Sequence, residues 1–143
     1  MKPEVDQILG LSAGQLMGQM APLLPNSFAI GSASVLGMMM MFAAQEFERG
    51  ADIRAAENAD MRSLFRDAAA KVGDAGLKSA LSKAAATEDR SLKISALNAE
   101  NTELRRVLIR LQAHAEEKGL RDIERRIWDV LKASADRRIL RLG

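Results

Sequence analysis

Residues 7–45 contain no Asp, Glu, Lys or Arg, although charged residues make up 28% of this 143-residue chain. An uncharged stretch of that length must be buried, cross a bilayer or meet a partner. Pro22 and Pro25 divide it, and residues 28–44 are its longest unbroken part. That part lies at the lower edge of the roughly 17–25 residues a bilayer span requires. Gly31, Ser32, Ser34 and Gly37 dilute its hydrophobicity, and no Trp or Tyr stands at either end. Glu46, Glu48 and Arg49 follow at once without a basic cluster, which argues against membrane insertion. Lys2 is offset by Glu4 and Asp6 where a secretory leader carries net positive charge. The expectation is a cytoplasmic protein whose apolar third is a buried helical centre or an interface.

The remaining charge is unevenly divided. Residues 1–89 carry 8 basic and 11 acidic side chains, net −3, and residues 90–143 carry 13 and 8, net +5, which together give the overall +2. Opposed charge of this kind lets the two parts attract each other or a second copy. Cysteine is absent and histidine occurs once, at His114. Disulfides, thiolate metal sites and thiol nucleophiles are thereby excluded. Nothing in the sequence calls for a cofactor.

Proline is confined to positions 3, 22 and 25, and Ala, Leu, Glu, Arg, Lys and Met dominate the rest, so the chain reads as all-α. Five to six helices in an antiparallel bundle are expected, as one domain over residues 1–143. Residues 137–143 form a basic tail and are a candidate for disorder. A first helix opens near Pro3 and ends at Pro22, and Asn26 or Ser27 caps a second that runs to Gly50. Gly73, Asp74, Ala75 and Gly76 mark a loop before a short helix with Leu77 and Leu81. Thr87 is read as the N-cap of the longest helix, where Ile94, Leu97, Asn101, Leu104, Leu108, Leu111 and Ala115 follow a 3,4 spacing. Gly119 with Leu120 ends it as a Schellman motif, and a last helix follows.

Two sets of residues are candidates for function. Gly10, Gly14 and Gly18 form one small-residue stripe and Ala29, Ala33 and Gly37 another. Each interior glycine costs about 0.8–1 kcal/mol against alanine, which close packing has to offset. These stripes join the first two helices within the chain, or join two chains. Asn101 interrupts the apolar seam, either to pair with its own copy across a dimer or to bond a neighbouring helix. Met38, Met39, Met40 and Met41, with Phe42, suggest an apolar cavity for an acyl-type ligand, or a helix buried on all sides.

Other chemistries find little support. A di-iron bundle needs Glu-x-x-His twice, whereas Leu111 stands three residues before the sole histidine. Glu57 with Asp60, and Glu100 with Glu103, lie beside Arg62 and Arg105 and read as solvated ion pairs. His114 has no nucleophile motif around it, and no phosphate-binding glycine loop occurs. No catalytic or metal-binding residue is assigned. Nucleic-acid binding is disfavoured because Glu and Asp interleave with the C-terminal arginines.

Ala21-Pro22-Leu23-Leu24-Pro25, Ala43-Ala44-Gln45-Glu46-Phe47-Glu48-Arg49-Gly50, Ala55-Ala56-Glu57 and Leu97-Asn98 carry a resemblance. The chain resembles a group of small bacterial helical proteins whose genes often lie beside acyl-CoA dehydrogenases and aminoglycoside-phosphotransferase-like kinases. Those relatives tend to carry His and Arg early in the second helix, where this chain has Phe28-Ala29-Ile30-Gly31. The resemblance implies an accessory role near acyl-CoA metabolism and carries no catalytic residue over. The expected function is therefore a non-enzymatic association module, a homodimer in the simplest case. The alternative is a carrier or sensor with an acyl-type ligand in a Met-lined interior.

Overall fold

The structure, a computed structural model, describes residues 2–141. The described residues are helical and contain no strand. Helix α1 spans Val5–Gln15 and continues through a π-helical turn, Leu16–Met20, and a 3-10 turn, Ala21–Leu23. Helix α2 spans Ser27–Ala69, α3 Ala75–Ala85, α4 Ile94–Lys118 and α5 Arg121–Arg137. The all-α helical-bundle class is thus as the composition dictates.

Several boundaries have local causes. Pro22 sits in the first positions of the 3-10 turn that closes the first helical stretch at Leu23, and Asn26 Oδ1 accepts the Ala29 N–H at 2.9 Å to cap α2. Asp74 Oδ1 accepts the Leu77 N–H at 2.6 Å and starts α3. Gly119 adopts φ 64°, and the Leu120 N–H donates to Ala115 O at 2.8 Å, the long bond of a Schellman turn.

Two expected boundaries are corrected. Gly50 does not end a helix, because α2 passes through it to Ala69 and is the longest element at 43 residues. A lone glycine costs only about 1 kcal/mol, and the strong helix formers on both sides outweigh it. Thr87 does not cap α4. Its hydroxyl donates back to Ala84 O at 2.9 Å, closing α3, and α4 begins only at Ile94.

The chain divides into two compact units, Met1–Gly50 with Leu140–Gly143 and Ala51–Ile139. Of the first unit, residues 2–50 and 140–141 are described. In the second unit Met61, Leu64, Phe65, Leu77, Leu81, Leu104, Leu108, Leu111, Ile123 and Ile127 form one core. The 3,4 seam of α4 faces this core, since Leu97, Asn101, Leu104, Leu108, Leu111 and Ala115 are all buried. It is therefore satisfied within the chain.

The first unit is a helical hairpin with little interior. Ala13 and Ala21 are its buried apolar side chains, and Gly37 is buried opposite them. The tail residue Arg141 exchanges two hydrogen bonds with the Gln45 side chain, at 2.9 and 2.6 Å. Of the basic tail, residues 142 and 143 lie outside the described residues.

Candidate functional site

Two surfaces stand out, one apolar in the first unit and one polar inside the second. Gly37 on α2 lets α1 come close: a methyl group there would collide with the Met17 side chain, and Ala13 O lies 3.5 Å away. Of the other candidate stripe residues on α2, Ala29 and Ala33 are half-buried. The glycine stripe of α1 behaves differently. A Cβ added at Gly10, Gly14 or Gly18 would meet nothing within 4 Å. The two stripes therefore do not meet each other. Ala13 and Met17 fill the approach to Gly37, and the glycines are left facing open space.

The methionine run is also corrected. Met38 and Met39 are 36% and 61% exposed, and Met40, Met41 and Phe42 are half-buried, so the run encloses no bundle interior. Consecutive residues face different sides of a helix, and α1 covers only one of those sides. Leu11, Leu23 and Phe28 are 75–85% exposed, and Val5, Ile8, Met20, Val35, Leu36 and Phe47 add to them. Taking roughly 150–200 Å² for a fully exposed large side chain, the apolar surface of the hairpin is on the order of 1,200 Å². A typical monomer keeps its largest apolar patch to about 300–600 Å². Among the described residues, α2 is the one helix long and apolar enough to cross a membrane, and only 11% of its apolar stretch is buried.

The polar cluster links α2, α4 and α5. Glu57 is 2% exposed and Asn58 fully buried. Glu57 Oε1 accepts from Ser134 Oγ and Arg138 Nε, each at 2.6 Å, and Oε2 accepts from Arg138 Nη2 at 2.7 Å. Asn101 Nδ2 donates to Asn58 Oδ1 at 2.9 Å and to Glu57 Oε2 at 3.3 Å. Its Oδ1 accepts from Arg105 Nε at 2.7 Å. Asn58 Nδ2 and Arg62 Nη2 both donate to Asp89 Oδ1, at 2.9 and 2.8 Å. Arg62 Nε adds a bond to Thr87 Oγ1 at 3.0 Å, which fixes the link between α3 and α4.

Charge accounts for the ionisation of both carboxylates. Burial pushes Glu57 up, but hydrogen bonds from Arg138 and Ser134 and the charges of Arg138 and Arg105 hold it below its ordinary value. Burial likewise raises Asp89, and the Arg62 and Asn58 bonds with the Arg62 charge bring it below its ordinary value. Both side chains are anionic at neutral pH.

This geometry settles two candidates. Asn101 bonds Asn58, Glu57 and Arg105 within the chain, which is its neighbouring-helix alternative. Glu57 is not a solvated partner of Arg62, because Arg138 holds it and Arg62 turns to Asp89. A signal for this cluster was present in the spacing. Glu57 stands four residues from both Ile53 and Met61, Asn101 stands between Leu97 and Leu104, and Ser134 lies seven beyond Ile127. All three interrupt apolar rows.

A narrow recess of about 10 Å³, room for roughly one water, lies beside the cluster, lined by Glu57, Met61, Arg105, Leu108, Val130, Leu131 and Ser134. His114 lines a separate open groove with Lys71, Asp74, Glu117 and Lys118. No group of three His, Cys, Asp or Glu placed to hold a metal ion occurs among the described residues. Comparison with protein-family models, curated proteins and solved structures finds no match to this chain.

Proposed function

We propose that this chain is a non-enzymatic association module whose N-terminal hairpin is covered by a second copy of itself. The observation that carries the reading is the exposed apolar surface of residues 5–47, on the order of 1,200 Å² summed over all sides of the hairpin. A stable interface buries ~800 Å² per partner, so a second copy would need to cover the larger part of this surface. A symmetric interface brings each surface against its own copy, so any charge on it meets a like charge. Residues 7–45 carry none. The open glycine stripe admits close backbone approach, and Gln7, Gln15 and Gln19 offer uncharged hydrogen bonding that suits protein better than lipid. A cytoplasmic location goes with this reading, and an accessory role beside acyl-CoA metabolism remains the resemblance's contribution to it.

Sedimentation equilibrium over the micromolar range tests it. The expected mass is twice that of the chain, with Leu23→Ser/Phe28→Ser reverting to monomer. Those two side chains are 85% and 84% exposed, so the exchange leaves the fold of one chain intact. A wild-type monomer throughout that range sinks the reading. Flotation with phosphatidylcholine vesicles in place of self-association would assign the surface to lipid.

A further inference from the structure

The outer face of α5 leaves its charge unmatched. Ile123, Ile127 and Ser134 form the buried side of this helix, and the side turned away from them carries two rows. Arg121, Arg125, Trp128 and Lys132 follow at intervals of four, three and four residues, and Asp122, Asp129 and Asp136 at intervals of seven, so each set lines up along the helix. Arg121 pairs with Glu124 at 2.9 Å. Arg125 and Lys132 form no ion pair among the described residues, although Asp129 stands within helical reach of both. Between them Trp128 is 65% exposed, and a large aromatic ring of this kind is what carries the energy of an interface.

We propose that this face docks an amphipathic helix of a partner protein, with acidic residues seven positions apart on Arg125 and Lys132 and an apolar residue between them on Trp128. The two cations are about 10 Å apart along the axis, which matches two turns of a helix lying beside α5. The adjoining Asp row decides between anionic partners. A phosphate chain or an anionic bilayer carries negative charge across its whole width and would press it on Asp122, Asp129 and Asp136 as well. A polypeptide places acids only opposite the cations and can set a basic residue opposite Asp129. One indole ring and two cations cover far less than the ~800 Å² of a standard interface, so the contact is transient. The face lies wholly within the second unit and does not rest on association of the hairpin.

The chain holds one Trp, so its emission reads this face alone. The test is a titration of the full chain with an alanine-based helical peptide carrying Glu residues seven apart and Leu between them. A saturable, salt-sensitive change in emission is expected, absent with the peptide that carries Lys in place of Glu. Arg125→Glu/Lys132→Glu, and separately Trp128→Ala, should each lower affinity for the fluorescein-labelled peptide by about tenfold. These side chains are exposed, so the circular dichroism melting temperature should stay unchanged in both variants. No saturable change, an equal response to the Lys peptide, or unaltered affinity in both variants overturns the proposal. A larger response to oligothymidylate or to phosphatidylglycerol vesicles overturns it in favour of nucleic acid or lipid. A sedimentation-equilibrium mass lowered by Arg125→Glu/Lys132→Glu overturns it in favour of a second copy.

Discussion

Replacing Glu57 with Gln is the most demanding test of the polar cluster. In the wild type, one carboxylate that is 2% exposed accepts from Ser134, Asn101 and twice from Arg138, with Arg105 3.8 Å away. Gln keeps the shape but removes the charge and turns one acceptor into an NH₂ donor facing other donors. The arginines left behind are 41% and 44% exposed, so the cost is that of the lost charge-assisted bonds and the unmatched NH₂, about 1.5–3 kcal/mol. A domain of this size holds about 5–15 kcal/mol in total, so the variant loses a substantial part of its margin. Arg138→Ala should cost less, about 1–2 kcal/mol. Its side chain is 44% exposed, solvent screens it, and Ser134, Asn101 and Arg105 still face the carboxylate. Urea unfolding followed by circular dichroism, at one fixed protein concentration, measures both. Arg138→Ala as damaging as Glu57→Gln, or a Glu57→Gln loss below 1 kcal/mol, would refute the account of Glu57 as the charge on which the cluster closes.

The other predictions concern pH and the two kinds of glycine. Glu57 and Asp89 lie below their ordinary values when folded, so the unfolded chain takes up protons first; stability is full above about pH 4.3 and falls as pH drops below it. Glu57→Gln should flatten the acid limb of stability against pH, and an unchanged limb would contradict the assignment. At Gly14, where nothing lies within 4 Å, Ala should raise the helical stability of the hairpin by about 0.8–1 kcal/mol. At Gly37, Leu should instead force α1 away, because Met17 and Ala13 already occupy that space. Hydrogen exchange at residues 8–17 distinguishes the two, and equal protection in both variants would show that Gly37 does not set the approach. Gly14→Leu, which meets nothing within 4 Å at its Cβ in one chain, should also reduce dimer mass if the stripe lies at the two-fold axis.

Helical class and most helix ends were legible because they depend on neighbours in sequence. Pro22, the Asn26 and Asp74 caps and the Gly119–Leu120 turn act over a few residues, and each operates as its chemistry requires. Gly50 misled because a single glycine is a weak breaker and the length of α2 is a sum over many residues. Thr87 misled because the same hydroxyl can cap the next helix or close the previous one, and only the fold decides.

The sequence by itself determined that the N-terminal third is uncharged and apolar, and that Asn101 interrupts the apolar seam of the long helix. Burial, however, is a relation between elements that no local pattern contains. Only the tertiary structure decided that the apolar third is left largely uncovered, so that Met38 and Met39 lie on a surface instead of in a core. It also decided that Glu57, Asn101 and Ser134 fall at one level of the second unit. A buried charge must find its partners at hydrogen-bonding distance. Arg138, 81 residues away along the chain, reaches Glu57 only because α5 returns beside α2.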